Sequence, residues 1–160
     1  MTRHPPPLAI LLGLAGLVPF FACGLGALML DNDGAQFSLL ALMAYGATIL
    51  AFLGGVHWGF ALSDDANQSS PVLRARLVLG VVPSLIGWAA LLIAFIGLPK
   101  VGLAVLLSGF VGTIIFEARA SRASLMPAGY IGLRWALTAG VVLCLSCVLV
   151  ARLLGAEVVI

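Results

Sequence analysis

Three ionisable side chains stand out because apolar sequence surrounds them. His57 lies in Gly54-Gly-Val-His-Trp-Gly59, near the end of a stretch from Phe37 to Leu62 that contains no Asp, Glu, Lys or Arg. Imidazole titrates near physiological pH and can accept a proton, a ligand, a metal or haem. Glu117 and Arg134 border the next breaks in apolar sequence, and with His57 they form a candidate functional polar cluster, with a carboxylate that can hold a proton or cation and a guanidinium that can hold the carboxylate. The alternative is a neutral His57 hydrogen-bonded to a neighbouring helix, with Glu117 and Arg134 reaching toward lipid headgroups.

The remaining chemistry is sparse. Cys144-Leu-Ser-Cys147 has redox-motif spacing, but it lies in an apolar run without a nearby cation, where a thiol is inert. Cys23 is expected at a depth similar to Cys147, which allows a tertiary contact. His4 precedes the first apolar run and is poorly placed to share a metal with His57. We find no Ser/His/Asp arrangement, HExxH, phosphate loop or paired intramembrane carboxylates. The expectation is therefore no catalytic residue, no metal and no cofactor.

What must position these groups follows from the solvent. With 62% hydrophobic and 9% charged residues, the chain has too little polar surface to cover a water-soluble globule. Its net charge of +2 gives no nucleic-acid signature. A bilayer core needs roughly 20 apolar residues per helix. Leu8–Leu30, Phe37–Leu62, Leu77–Ile96, Val101–Phe116 and Tyr130–Leu153 approach that length, and the short alternating segments of a transmembrane barrel are absent. These features predict an all-α, polytopic transmembrane bundle of five helices. It forms one domain over residues 1–160, with helices at about 8–30, 37–62, 71–96, 99–117 and 128–153. The first run is longer than a signal h-region and lacks a small-x-small cleavage site, so it reads as a retained helix.

Boundary residues refine this picture. Asp31-Asn-Asp-Gly34 reads as a polar turn, Ser70 before Pro71 as an N-cap, Gly97 and Pro99 as a stop and restart, and Met126-Pro127 as the start of the fifth helix. Arg3, Arg74, Arg76, Arg119, Arg122 and Arg134 fall on one side and Lys100 and Arg152 on the other. The positive-inside rule then predicts a cytoplasmic amino terminus and an outside carboxyl terminus carrying Glu157.

Packing signals concentrate in the second helix. Ala47, Ala51, Gly55 and Gly59 recur every four residues as a ridge that admits another helix. His57 lies about 200° around from Gly55, on the face shared by Gly46, Leu50 and Leu53. Pro19 and Pro83 are expected to interrupt or kink their helices. Trp58, Tyr130 and Trp135 suit an inner aromatic belt of interface anchors. Tyr45 and Trp88, far from helix ends, are expected to find hydrogen-bond partners and to suit a cavity lining. Gly16-Leu-Val-Pro19 recurs as Gly80-Val-Val-Pro83, and Ala47-Thr-Ile-Leu50 resembles Gly112-Thr-Ile-Ile115, a weak sign that helices one and two are duplicated in three and four.

Gly13-Leu-Ala-Gly-Leu-Val-Pro-Phe20, Gly54-Gly-Val-His-Trp-Gly59, Gly80-Val-Val-Pro-Ser84 and the spaced Leu125, Pro127, Tyr130, Leu133-Arg134 and Leu137-Thr138 together resemble the family of uncharacterised bacterial membrane proteins related to eukaryotic transmembrane protein 69. The resemblance covers almost the whole chain. It implies a five-helix, multi-pass protein of the bacterial inner membrane and brings no activity or catalytic residues with it. Two function classes follow. One is a noncatalytic interaction or assembly module whose partners are the lipid bilayer and a second membrane protein or another copy. The other is a small transporter or ion- or proton-binding protein using His57 with Glu117 or Arg134.

Overall fold

The computed structural model of the chain describes residues 6–62, 70–122 and 130–155. Among them every regular element is a helix: α1 (Pro7–Ala15), α2 (Val18–Met29), α3 (Asn32–Leu62), α4 (Ser70–Phe95), α5 (Pro99–Arg122) and α6 (Tyr130–Leu153). Five segments are long and apolar enough to cross a membrane: Pro7–Met29, Asn32–Gly59, Arg76–Phe95, Pro99–Arg119 and Gly132–Leu153, the shortest having 20 residues. The predicted all-helical, five-span architecture is therefore the one observed. Expectations for Arg3, His4, Met126, Pro127 and Glu157, and for the side chains of Ser70, Pro71, Arg122 and Tyr130, fall outside the described residues.

The first span comprises two helices. Proline has no N–H to give the carbonyl four residues back, and for Pro19 that carbonyl belongs to Ala15, where α1 ends. A tighter turn bridges the gap, with Leu17 N–H donating to Leu14 O at 3.0 Å, and Phe21 N–H resumes the ladder onto Leu17 O at 3.1 Å. Gly16 and Leu17 keep helical dihedrals, so only the hydrogen bonding is interrupted. Pro83 differs from Pro19 in lying inside a helix that continues through it, α4 from Ser70 to Phe95. The two copies of the suspected repeat thus differ at their prolines, and also at their threonines, since Thr48 is exposed and Thr113 buried.

Two helix boundaries move outward from the sequence estimate. Leu30 is extended, and the Asp31 carbonyl accepts from Ala35 N–H, so helical bonding starts at Asp31. Asp33 lies in the first turn of α3, where the positive end of the helix dipole favours a carboxylate. The expected polar turn is therefore the first turn of α3, which begins at Asn32 instead of Phe37. At the other boundary, α5 runs through Glu117 to Arg122. A charge ends an apolar run, but it gives the backbone no reason to leave the helix.

The α4–α5 junction follows the expected chemistry. Gly97 takes φ +89°, Gly97 N–H donates to Ala94 O at 3.1 Å and Leu98 N–H to Ile93 O at 3.1 Å. This is a Schellman closure, which needs a left-handed residue and favours glycine. Pro99 then opens α5, where its missing N–H has no helical partner to lose.

Contacts divide the chain into two compact units, residues 1–42 with 110–160 and residues 43–109. In the first, α1 and α2 run parallel to α6. Gly13 lies under Leu137, Gly140 under Leu17, and Gly24 under Cys144 and Val148, all separated by nearly the same sequence offset. Ring centroids of Phe20 and Phe110 stand 5.9 Å apart, edge to face. In the second unit, α3 and α4 are antiparallel, with Ala47 against Gly87 and Gly54 against Gly80. There α3 and α5 are parallel, with Gly46 under Leu106 and Gly109 under Leu50.

Candidate functional site

The distribution of side chains is that of a protein solvated by lipid. Phe52, Trp88 and Leu143 are at least 60% exposed, whereas Glu117 is fully buried and His57 and Arg134 are 3% and 8% exposed. Water would favour the reverse. In hydrocarbon, apolar groups face the solvent without penalty and polar groups turn to one another.

Helical periodicity delivers each polar group to the interior. Leu103, Leu106, Phe110, Thr113 and Glu117 form the buried stripe of α5. Arg134, Thr138, Val141, Leu145 and Val148 form that of α6. Both alternate steps of three and four residues, which keeps one side of a helix facing a neighbour. Because α5 continues beyond Glu117, the carboxylate sits inside a helix and meets Arg134 across the packed face. Arg134 NH2 donates to Glu117 Oε1 at 3.1 Å, and Arg134 Nε stands 3.0 Å from Glu117 Oε2 without the alignment of a hydrogen bond. Two members of the proposed cluster are therefore brought together as a buried ion pair.

His57 belongs to the second unit. It lies on α3 in the same buried stripe as Gly46, Leu50 and Leu53, the face assigned to it from the helical wheel. The small-residue ridge needs correction. Ala47 packs against Gly87, but Ala51, Gly55 and Gly59 are exposed, and a Cβ at Gly55 or Gly59 would meet nothing within 4 Å. The close approach within the chain occurs one residue earlier, where a Cβ on Gly54 would collide with the Gly80 carbonyl oxygen. Gly80 in turn lies under the Trp58 indole, whose Nε1 donates to Leu77 O at 3.1 Å. Trp58 and Trp135 are both exposed, while Trp88, expected to suit a cavity lining, faces outward.

Sequence reasoning missed three polar contacts or groups. Cys144 Sγ donates to Phe20 O at 3.1 Å, in the space that Gly24 leaves. Arg152 NH2 donates to Ala27 O at 3.0 Å and approaches Ala35 O at 3.4 Å, joining the end of α2 to the start of α3. Thr138, one turn from Arg134, has a buried hydroxyl without a partner among the described residues. The four-residue Arg134-to-Thr138 spacing was a usable signal; the carbonyl acceptors were not, because side-chain patterns do not mark them. Cys23, Cys144 and Cys147 are free thiols, and no group of three His, Cys, Asp or Glu among the described residues is placed to hold a metal.

Residues 5–150 match the family described as "Protein of unknown function (DUF3429)". The chain is 40% identical over 92 residues to Transmembrane protein 69 of Xenopus tropicalis, a match covering 56% of this chain and 34% of the relative. It is 37% identical over 87 residues to Transmembrane protein 69 of Mus musculus, covering 54% and 34%. The matched segment thus spans about a third of those relatives' length. No solved structure matches the chain.

Proposed function

We propose that this chain, which belongs to the DUF3429 family of proteins of unknown function, acts as a noncatalytic interaction module of the bacterial inner membrane, with its amino terminus in the cytoplasm. The observation that carries the reading is the division of labour on α3. Its inner face is packed, with Ala47 against Gly87 and Gly54 against Gly80, while Ala51, Gly55 and Gly59 form an outer strip with open space above both glycines. Small residues in a lipid-facing strip let another helix approach closely, where van der Waals contact drives association. Supporting it further, the shared segment is only a third of a longer polypeptide in the two relatives, and the chain carries no catalytic motif.

Purification in mild detergent tests the reading. A stable complex, with a second membrane protein or another copy, is expected for the native chain, and Gly55→Leu should weaken it while leaving the chain folded. Recovery only as a monodisperse, partner-free protein overturns it.

The burial of His57 favours a second reading, a proton- or ion-binding role, because intramembrane ionisable groups commonly mark ion pathways. In proteoliposomes, His57→Ala would then abolish a proton or cation flux that the folded native chain supports. Equal flux from both proteins removes this reading.

A further inference from the structure

The first unit buries more polarity than its ion pair uses. Arg134 Nε and Thr138 Oγ1 are both sealed from solvent, and neither has a hydrogen-bond partner among the described residues. The Arg134 Nε–H is near Glu117 Oε2, at 3.0 Å, but is not aimed at it. Thr138 commonly has a cheap escape in a helix, since a threonine hydroxyl can bond the carbonyl one turn back, yet here it makes no such bond. Buried donors and hydroxyls are almost always paired in folded proteins, often through an internal water.

We infer that Arg134 and Thr138 hold a single water molecule inside the first unit, at membrane depth. The two groups are four residues apart on α6 and share one face. A single water oxygen would accept from Arg134 Nε–H at about 2.9 Å and bond Thr138 Oγ1 at about 2.8 Å. Glu117 Oε2, 3.0 Å from Nε, supplies an anionic acceptor for a water hydrogen. The chemistry selects a small neutral guest. Glu117 already balances the Arg134 charge, so an anion would face the carboxylate, a cation would face the guanidinium, and an apolar guest would leave both groups unpaired. Both residues lie within the Gly132–Leu153 span, where a dry unpaired polar group would be costly. This inference is independent of the helix-docking strip on α3.

Solid-state NMR on labelled protein in lipid bilayers tests it, with magnetisation transferred from water to the Arg134 Nε–H. The native chain and Thr138→Ser should show transfer at that proton, while Thr138→Val, which keeps the shape and removes the hydroxyl, should reduce it severalfold. A native Nε–H that receives no more magnetisation than the buried Leu145 amide overturns the proposal, as does undiminished transfer in Thr138→Val. If the valine variant does not fold, the native comparison with Leu145 still decides.

Discussion

Glu117 and Arg134 meet across the α5–α6 face with no exposed surface on the carboxylate, the guanidinium NH2 donating to Oε1 at 3.1 Å. Their sequence setting suggests two residues at membrane edges. The helices decide otherwise: α5 carries its ladder past Glu117 to Arg122, and α6 places Arg134 four residues inside its first described turn. Each charge is then inside the protein, where the other neutralises it. The pair fixes how these two helices face each other, because rotating either would present a bare charge to lipid.

Removing one partner should therefore cost far more than removing both. Glu117→Ala or Arg134→Ala leaves an uncompensated buried charge and should destabilise the protein by about 3–5 kcal/mol. The double variant Glu117→Leu with Arg134→Met should recover most of that loss. Thermal unfolding in detergent, followed by circular dichroism, measures the cycle; additive losses would show that the charges do not act as a pair.

Arg152 should matter through its reach and not only its charge. Its NH2 bonds Ala27 O at 3.0 Å near the end of α2, where the last carbonyls lack helical donors and the dipole favours a cation. Arg152→Met keeps the apolar stem and removes the donors, and should cost about 1.5–3 kcal/mol. Arg152→Lys should recover only part, because it loses the planar fork. Equal stability of all three proteins by thermal unfolding would remove the assignment.

The five spans were legible in the sequence because length and hydropathy suffice once the solvent is lipid. The faces were only partly legible. The face of His57 is legible because helical geometry is rigid, and Gly46, Leu50 and Leu53 are buried on the same face. The ridge through Gly55 is legible as a place where a helix can be approached, but a small-residue repeat does not say by what, and within the chain a Cβ at Gly55 or Gly59 would meet nothing within 4 Å. Gly54, one step around, carries no repeat and makes the contact. The α3 start was missed because Asp31 and Asp33 fit both a turn and a helix N-terminus, and only the backbone bonds distinguish them.

The parallel packing of α2 and α6 makes a further pairwise prediction. A Cβ added at Gly24 would stand 2.6 Å from Cys144 Sγ, so Gly24→Ala should overpack the contact and cost about 1–3 kcal/mol. In a Cys144→Ala background the obstructing sulfur is gone, and the same change should cost much less. A double-mutant cycle by thermal unfolding gives the coupling; no coupling would mean these helices do not meet in this register.

Adjacent glycines on α3 give the sharpest contrast. Gly54 touches the Gly80 backbone, so Gly54→Ala drives a methyl into a carbonyl that cannot move without moving α4. Overpacking against backbone should cost about 1–3 kcal/mol or more, and it should perturb Trp58, whose indole lies on Gly80 and bonds Leu77 O. Gly55 has open space, so Gly55→Ala removes only glycine's helix penalty and should leave the isolated chain as stable or raise stability by up to about 1 kcal/mol. Thermal unfolding and tryptophan fluorescence of the two variants in the same detergent distinguish the inward glycine from the outward one. The same loss at both positions would mean that α3 is rotated from the orientation in which Gly54 meets α4 and Gly55 meets lipid.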